Sequence, residues 1–220
     1  MTQRGNARQT IFESDSDRQI YLDLLHVNSQ RNRLSLIGYC LMSNHVHLIV
    51  VPRQPAALAL TLKETHGRFA TYFNVGRTAS GHVWQGRYFS CPLDPAHLWT
   101  ALRYTELNPV RARMATAADD WQWSSARAHC RNETDRLLDM TTWNARWDAA
   151  AWPGFLNIET TDVELAAIRT STHTGRPLGD ETFIHELEMQ LHRQLAPQKG
   201  GRPQKERTDE RQAAFSFEAE

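Results

Sequence analysis

An α+β fold, in which helices lie on one side of a small antiparallel sheet, is what the sequence predicts. Three observations predict it. Between residues 15 and 107 the hydrophobic patterns run helix, strand, strand, helix, hairpin, helix. The two adjacent strand patterns are separated by only Met42-Ser43-Asn44, which suits a tight antiparallel turn. Each helix pattern also meets a start or stop signal at an end.

The first helix is expected from about Asp15 to Gln30. A Ser/Asp cluster caps its start, and Ile20, Tyr21, Leu24, Leu25 and Val27 recur near helical spacing. Leu34–Leu41 and His45–Val51 are the two strands, and the second is apolar at nearly every residue beyond His47, as a central strand would be. A second helix spans Ala56 to Asn74 on Leu58, Leu62, Phe69 and Phe73, with Gly76 as its stop. His82 to Leu93 reads as a hairpin turning at Gln85-Gly86. Asp94-Pro95 opens a third helix, which Asn108-Pro109 ends. Beyond residue 130 the texture changes. Trp143, Trp147, Trp152 and Phe155 recur with weak periodicity, a helix is expected from Asp180 to Leu195, and the polar, Gly/Pro-rich stretch 196–220 is expected to be disordered. The organisation expected is therefore 1–130 as the main domain, 131–195 as a helical extension, and 196–220 as a tail.

The 220 residues carry 25 Lys and Arg against 25 Asp and Glu, a zero balance that argues against a nucleic-acid partner only if it is evenly spread. It is not. Residues 1–130 hold 14 basic and 9 acidic residues, leaving 11 against 16 for the remainder. Only Lys63, Lys199 and Lys205 are lysines, so the basic half relies on guanidinium groups, whose planar donors suit phosphate. No run reaches the roughly 18 apolar residues of a membrane span, and Met1–Thr10 is polar, so a cytoplasmic protein is expected. Cys40, Cys91 and Cys130 are far apart and never form a CxxC pair, which points to reduced thiols rather than disulfides or a zinc knuckle.

His45 and His47 flank Val46 on the expected central strand, and residues two apart share a face. Two imidazoles aimed at one point make a metal clamp, although two packed polar aromatics would read the same way. Tyr104 and Asn108, four apart, lie one turn apart near a helix end. A tyrosine beside a metal can act as a nucleophile on phosphorus. Its plain structural alternative is a packed aromatic, with Asn108 as a helix cap.

Taken together, these residues resemble the REP-associated tyrosine transposases of the single-tyrosine HUH superfamily, the IS200-like transposases. The blocks that carry the resemblance are MTQRGNARQTIF, GYCLMSNHVHLIV, HVWQGRYFSCPLD, ALRYTELNPVRA, WQWSSARAH, GRPLGDETFIHELE and KGGRPQK, and they span residues 1 to about 205. The resemblance implies a ferredoxin-like palm with His45 and His47 as metal ligands, Asn108 in the place of the third ligand, and Tyr104 as nucleophile. It implies Mg²⁺ or Mn²⁺ as cofactor. The partner it implies is single-stranded DNA that folds into REP hairpins with a tetranucleotide at the foot, cleaved through a 5′-phosphotyrosine with release of a 3′-OH. Arg4, Asn6, Arg87, Arg103 and Arg111 are the candidate DNA contacts, with Arg68, Trp84 and Arg113 as further ones. Trp121 and Trp123 are expected in the core. Gly201-Arg202-Pro203 between Lys199 and Lys205 resembles an AT-hook centre.

Relatives usually carry about a dozen further residues before the RGN block, of the form PxxxHVT, so the first strand is expected to be short or its start misplaced. Two other readings stay open at this stage: a domesticated hairpin-DNA binder without turnover, and an HxH hydrolase of small phosphoesters that does not need Tyr104. The chain is expected to be a monomer or homodimer, and no membrane partner is expected. Whether the acidic half folds back over the basic face is a question for the structure.

Overall fold

The computed structural model describes residues 1–196. Three strands, β1 (Thr2–Arg4), β2 (Leu34–Leu41) and β3 (His45–Pro52), form an antiparallel sheet in the order β1-β3-β2. The central position expected for the His-bearing strand is the one it occupies. Its register pairs Thr2 with His47 and Arg4 with His45 on one side, and Cys40 with His47 on the other.

Helix α1 (Asp15–Arg31) begins at a complete capping box, in which Ser14 accepts from the Asp17 amide and Asp17 accepts from the Ser14 amide. Helix α2 (Ala57–Gly76) lies against it. Together they bury one sheet face in a cluster that includes Tyr21, Leu25, Leu36, Leu41, Val46, Leu48, Leu62 and Phe69.

The expectation of helices on one side needs correction. Helix α3 (Pro95–Glu106) covers the opposite face, where Ala101 and Leu102 pack with Ile37 and Ile49. Ordinary alternation puts Leu36 in the first cluster and Ile37 on the α3 face, and a β-bulge between Leu36 and Gly38 then interrupts the alternation so that Gly38 faces α3 as well. Gly38 is needed there, since a Cβ would lie 2.2 Å from Leu102 Cδ1 and 2.9 Å from Ser125 Oγ. The missing side chain lets α3 press onto β2.

The hairpin expected over 82–93 does not form either. The segment runs along the outer edge of β1 instead. Thr2 and Phe89 exchange two hydrogen bonds (2.8 and 2.9 Å), Gln85 N donates to Arg4 O (2.8 Å), and Asn6 N donates to Val83 O (2.8 Å). An edge strand with unpaired backbone groups offered a better partner than the segment's own far half.

Helix α4 (Asn108–Arg111) follows α3 after the single residue Leu107, and α5 (Ala126–Arg131) closes the expected main domain. Helices α6 (Thr141–Asn144), α7 (Trp152–Leu156), α8 (Asp162–Thr174) and α9 (Glu181–Leu191) make up the extension. Its tryptophans are not surface decoration: Trp143 and the fully buried Trp152 complete the second core beneath α3. At its centre Glu106, wholly buried, accepts from Ser125 Oγ (2.6 Å) through one oxygen and from Trp152 Nε1 (2.8 Å) through the other. His129 Nδ1 lies 2.6 Å from the first of these oxygens. The three cysteines are free thiols, as expected. The GRP element and nearly all of the tail lie outside the described residues.

Candidate active site

Alternation along β3 sends Val46 and Leu48 into the first core and leaves His45, His47 and Ile49 on the α3 face. The two imidazoles stand with ring centroids 5.0 Å apart. Helix α3 then brings Tyr104 edge-on to His47, centroids 6.0 Å apart, so the strand pair and the helix tyrosine meet within one chain. Asp94 fixes where that helix starts: its side chain accepts from His97 N (2.7 Å), with Pro95 in the first turn.

These residues line a cavity of about 580 Å³ together with Thr2, Arg4, Arg8, Gln85, Phe89, Asn108, Arg111, Arg169, Thr172 and His173. Four arginines and three histidines face it, and among the described residues no carboxylate does. Arg111 arches back from α4, its guanidinium 4.1 Å over the Tyr104 ring and donating to Tyr104 O. That stacking fixes the ring and leaves a cation beside it.

Burial, reinforced by the charge on Arg4, depresses the His45 pKa to about 4. His47 is held well below its ordinary value, first by burial and then by His45 and the other nearby positive groups. Both rings are therefore neutral at pH 7, the form that offers a lone pair to a metal. Asn44 Oδ1 sits 2.7 Å from His45 Nδ1 and holds that ring through its inner nitrogen, which leaves Nε2 free. Asn108 lines the cavity, but its Nδ2 donates to Tyr104 O (3.2 Å) and Thr105 O (3.3 Å). It caps α3 in the same pose that puts it near the histidines, and its Oδ1 is the atom left for a metal. Among the described residues no three His, Cys, Asp or Glu side chains form a metal cluster. Two imidazoles and one amide oxygen are thus the donors on hand, a set that fits a hard divalent ion completed by phosphate and water oxygens.

The other candidate contacts are scattered. Asn6 lies at a second cavity of about 460 Å³, beside His66 and Trp84, whose rings stack at 4.3 Å. Trp84 is held in place there, donating from Nε1 to His66 O (3.0 Å). Arg68, Arg87 and Arg113 are exposed and line neither cavity. Arg103 is a correction. It is 3% exposed, its guanidinium lies 4.8 Å over the Phe155 ring, and it reaches Glu164 at 3.7 Å. One position before Tyr104 on the helix, it faces the extension and not the cavity. Trp121 and Trp123 are half-buried, with the Arg18 guanidinium 5.7 Å from each ring.

Sequence reasoning missed Arg8, Phe89, Arg169, Thr172 and His173. The last three come from a region whose weak periodicity gave no sign of which side would meet the site. A further cavity of about 500 Å³, near Tyr39 and Arg127, mixes Glu133 and Asp135 with arginines and lacks both the tyrosine and the paired imidazoles.

Residues 2–108 match the family described as transposase IS200 like. Among solved structures, the chain resembles one described as the REP-associated tyrosine transposase bound to a REP hairpin. The two share 16% sequence identity and a TM-score of 0.50, covering 63% of this chain and 82% of that one, a likeness of fold. No curated protein matches the chain. Among the described residues no helix is long and apolar enough to cross a membrane. The matched segment contains His45, His47, Tyr104 and Asn108 and stops short of the extension that follows residue 130.

Proposed function

We propose that this chain is an IS200-like transposase, a metal-dependent single-strand DNA endonuclease and strand transferase that acts on REP-type hairpins through a 5′-phosphotyrosine at Tyr104. The observation that carries the reading is the convergence of His45, His47, Tyr104 and Arg111 on one cavity that, among the described residues, no carboxylate lines. The solved structure it resembles is bound to a REP hairpin, which is the substrate class proposed here.

Arg4 and Arg111 hold the strand by its phosphates, and the Tyr104 ring is kept in line by the guanidinium stacked on it. The Tyr104 oxygen attacks phosphorus, the bond to the 3′ oxygen breaks, the phenol proton is lost, and the leaving oxygen is protonated. The 3′-OH produced can attack the phosphotyrosine and reverse the step, so bond energy is conserved and no nucleotide triphosphate is consumed. An Mg²⁺ or Mn²⁺ ion bound by His45, His47 and Asn108 would neutralise charge on the phosphoryl oxygens. Asn6 and Arg87 extend the proposed contact surface beyond the cavity.

The test is incubation with a single-stranded REP hairpin and Mn²⁺. Site-specific cleavage is expected, lost with EDTA and reduced on the order of 10⁴-fold in Tyr104→Phe. Tight binding without product in the unmodified chain would instead support a non-catalytic hairpin binder. Turnover of a small phosphodiester by Tyr104→Phe would support a simple hydrolase.

A further inference from the structure

Helix α8 lies outside the family-matched segment, yet it forms one wall of the catalytic cavity through Ile168, Arg169, Thr172 and His173. It is firmly seated. Ile168 is 6% exposed, Thr172 Oγ1 lies 3.8 Å from Cys91 Sγ, the His173 ring packs edge-on to Phe89 at 5.2 Å, and Glu164 pairs with the buried Arg103. None of these contacts involves Arg169.

Arg169 is exposed, and among the described residues no ion pair engages it or the cavity's other arginines, Arg4, Arg8 and Arg111. The charge of Arg169 is felt at Arg111, where burial is the larger influence and both act to lower the guanidinium pKa. Guanidinium groups gathered around one cavity, with no carboxylate among the described residues that line it, repel one another, and a polyanion threaded between them removes that cost.

We propose that Arg169 is a DNA-contacting residue of this site, holding a backbone phosphate of the single strand next to the scissile one, across the cavity from Arg4. The extension then contributes to substrate binding as well as to the second core. This inference rests on the proposed single-strand substrate, but not on cleavage chemistry.

Equilibrium binding of a fluorescent single-stranded hairpin oligonucleotide to the full chain carrying Tyr104→Phe, in EDTA and over a range of salt, tests it. Adding Arg169→Ala is expected to weaken binding about 5- to 10-fold near 0.1 M salt, the effect of one charge-assisted contact. It should also reduce the slope of log K against log salt by about 0.7, the value for one phosphate contact on a single strand. Arg169→Lys should recover the slope, and Arg176→Ala, exposed on the same extension but outside the cavity, should leave affinity and slope unchanged. Affinity within two-fold and an unaltered slope in Arg169→Ala would overturn the proposal. Cleavage by the unmodified chain is scored separately. An Arg169-dependent slope without cleavage removes the Tyr104 chemistry and keeps this contact, while cleavage with an Arg169-independent slope does the reverse.

Discussion

Tyr104 and Glu106 stand two residues apart on α3 and face opposite kinds of surroundings. Tyr104 looks into an open cavity where cations gather and, among the described residues, no carboxylate does. Glu106 is fully buried, and both of its oxygens have partners, contributed by Ser125, His129 and Trp152. The difference separates a site from a lock. The groups proposed to meet a substrate are left without counter-charges among the described residues, whereas the polar group that joins the extension to the main domain is satisfied on every side. Because one short helix carries both, the lock also sets the position of the tyrosine.

The largest expected effect on this contrast comes from Glu106→Ala. Removing one partner of a buried, hydrogen-bonded cluster costs about 3–5 kcal/mol, read as a lower urea midpoint, while Tyr104→Phe should shift stability by less than about 0.5 kcal/mol. Comparable losses in the two variants would erase the distinction between lock and site.

Acid should bear on the histidines of depressed pKa next. His45 and His66 have pKa values lowered to about 4 and about 3, chiefly by burial, and His47 is lowered further than its ordinary range. The unfolded chain binds protons on all three below about pH 6.5 while the folded chain does not. Stability is therefore fully present above pH 6.5 and falls as pH drops toward 4. Denaturant midpoints in EDTA at pH 8, 6 and 5 should decline in that order, less steeply in His66→Gln. A flat profile would mean that the fold does not hold these rings neutral.

A smaller effect is expected from Arg103→Ala. The ion pair with the partly exposed Glu164 adds little, so the loss is mostly the packing against Phe155, about 1–2 kcal/mol. Limited proteolysis should then cut between residues 157 and 180 faster than in the unmodified chain. Unchanged cleavage there would mean that Arg103 does not hold the extension.

The site was more legible in the sequence than the fold around it. Strand and helix periodicities put His45 with His47 and Tyr104 with Asn108 on shared faces, the family resemblance singled the four out as a set, and all four line one cavity. The bulge at Leu36–Gly38 left no mark in the sequence, and the run Leu36-Ile37, apolar on both faces, did not say which helix would cover the second face, so the α3 layer was missed. The 82–93 segment carried a turn signal that was real at Gly86, where φ is 62°, but its pairing partner lay about 80 residues away at the N-terminus. Arg103 sits in a motif block beside the tyrosine, yet adjacent helix positions point about 100° apart. Glu106, within YTELN itself, drew no attention because its partners come from three distant stretches.

The most direct test of the central claim is mass spectrometry of the covalent product formed by the full chain, Mn²⁺ and a single-stranded REP hairpin. The account predicts a 5′-phosphorylated DNA fragment attached to the peptide containing Tyr104, and no adduct in Tyr104→Phe. A cleaved strand with no protein adduct, or an adduct on another residue, would contradict it.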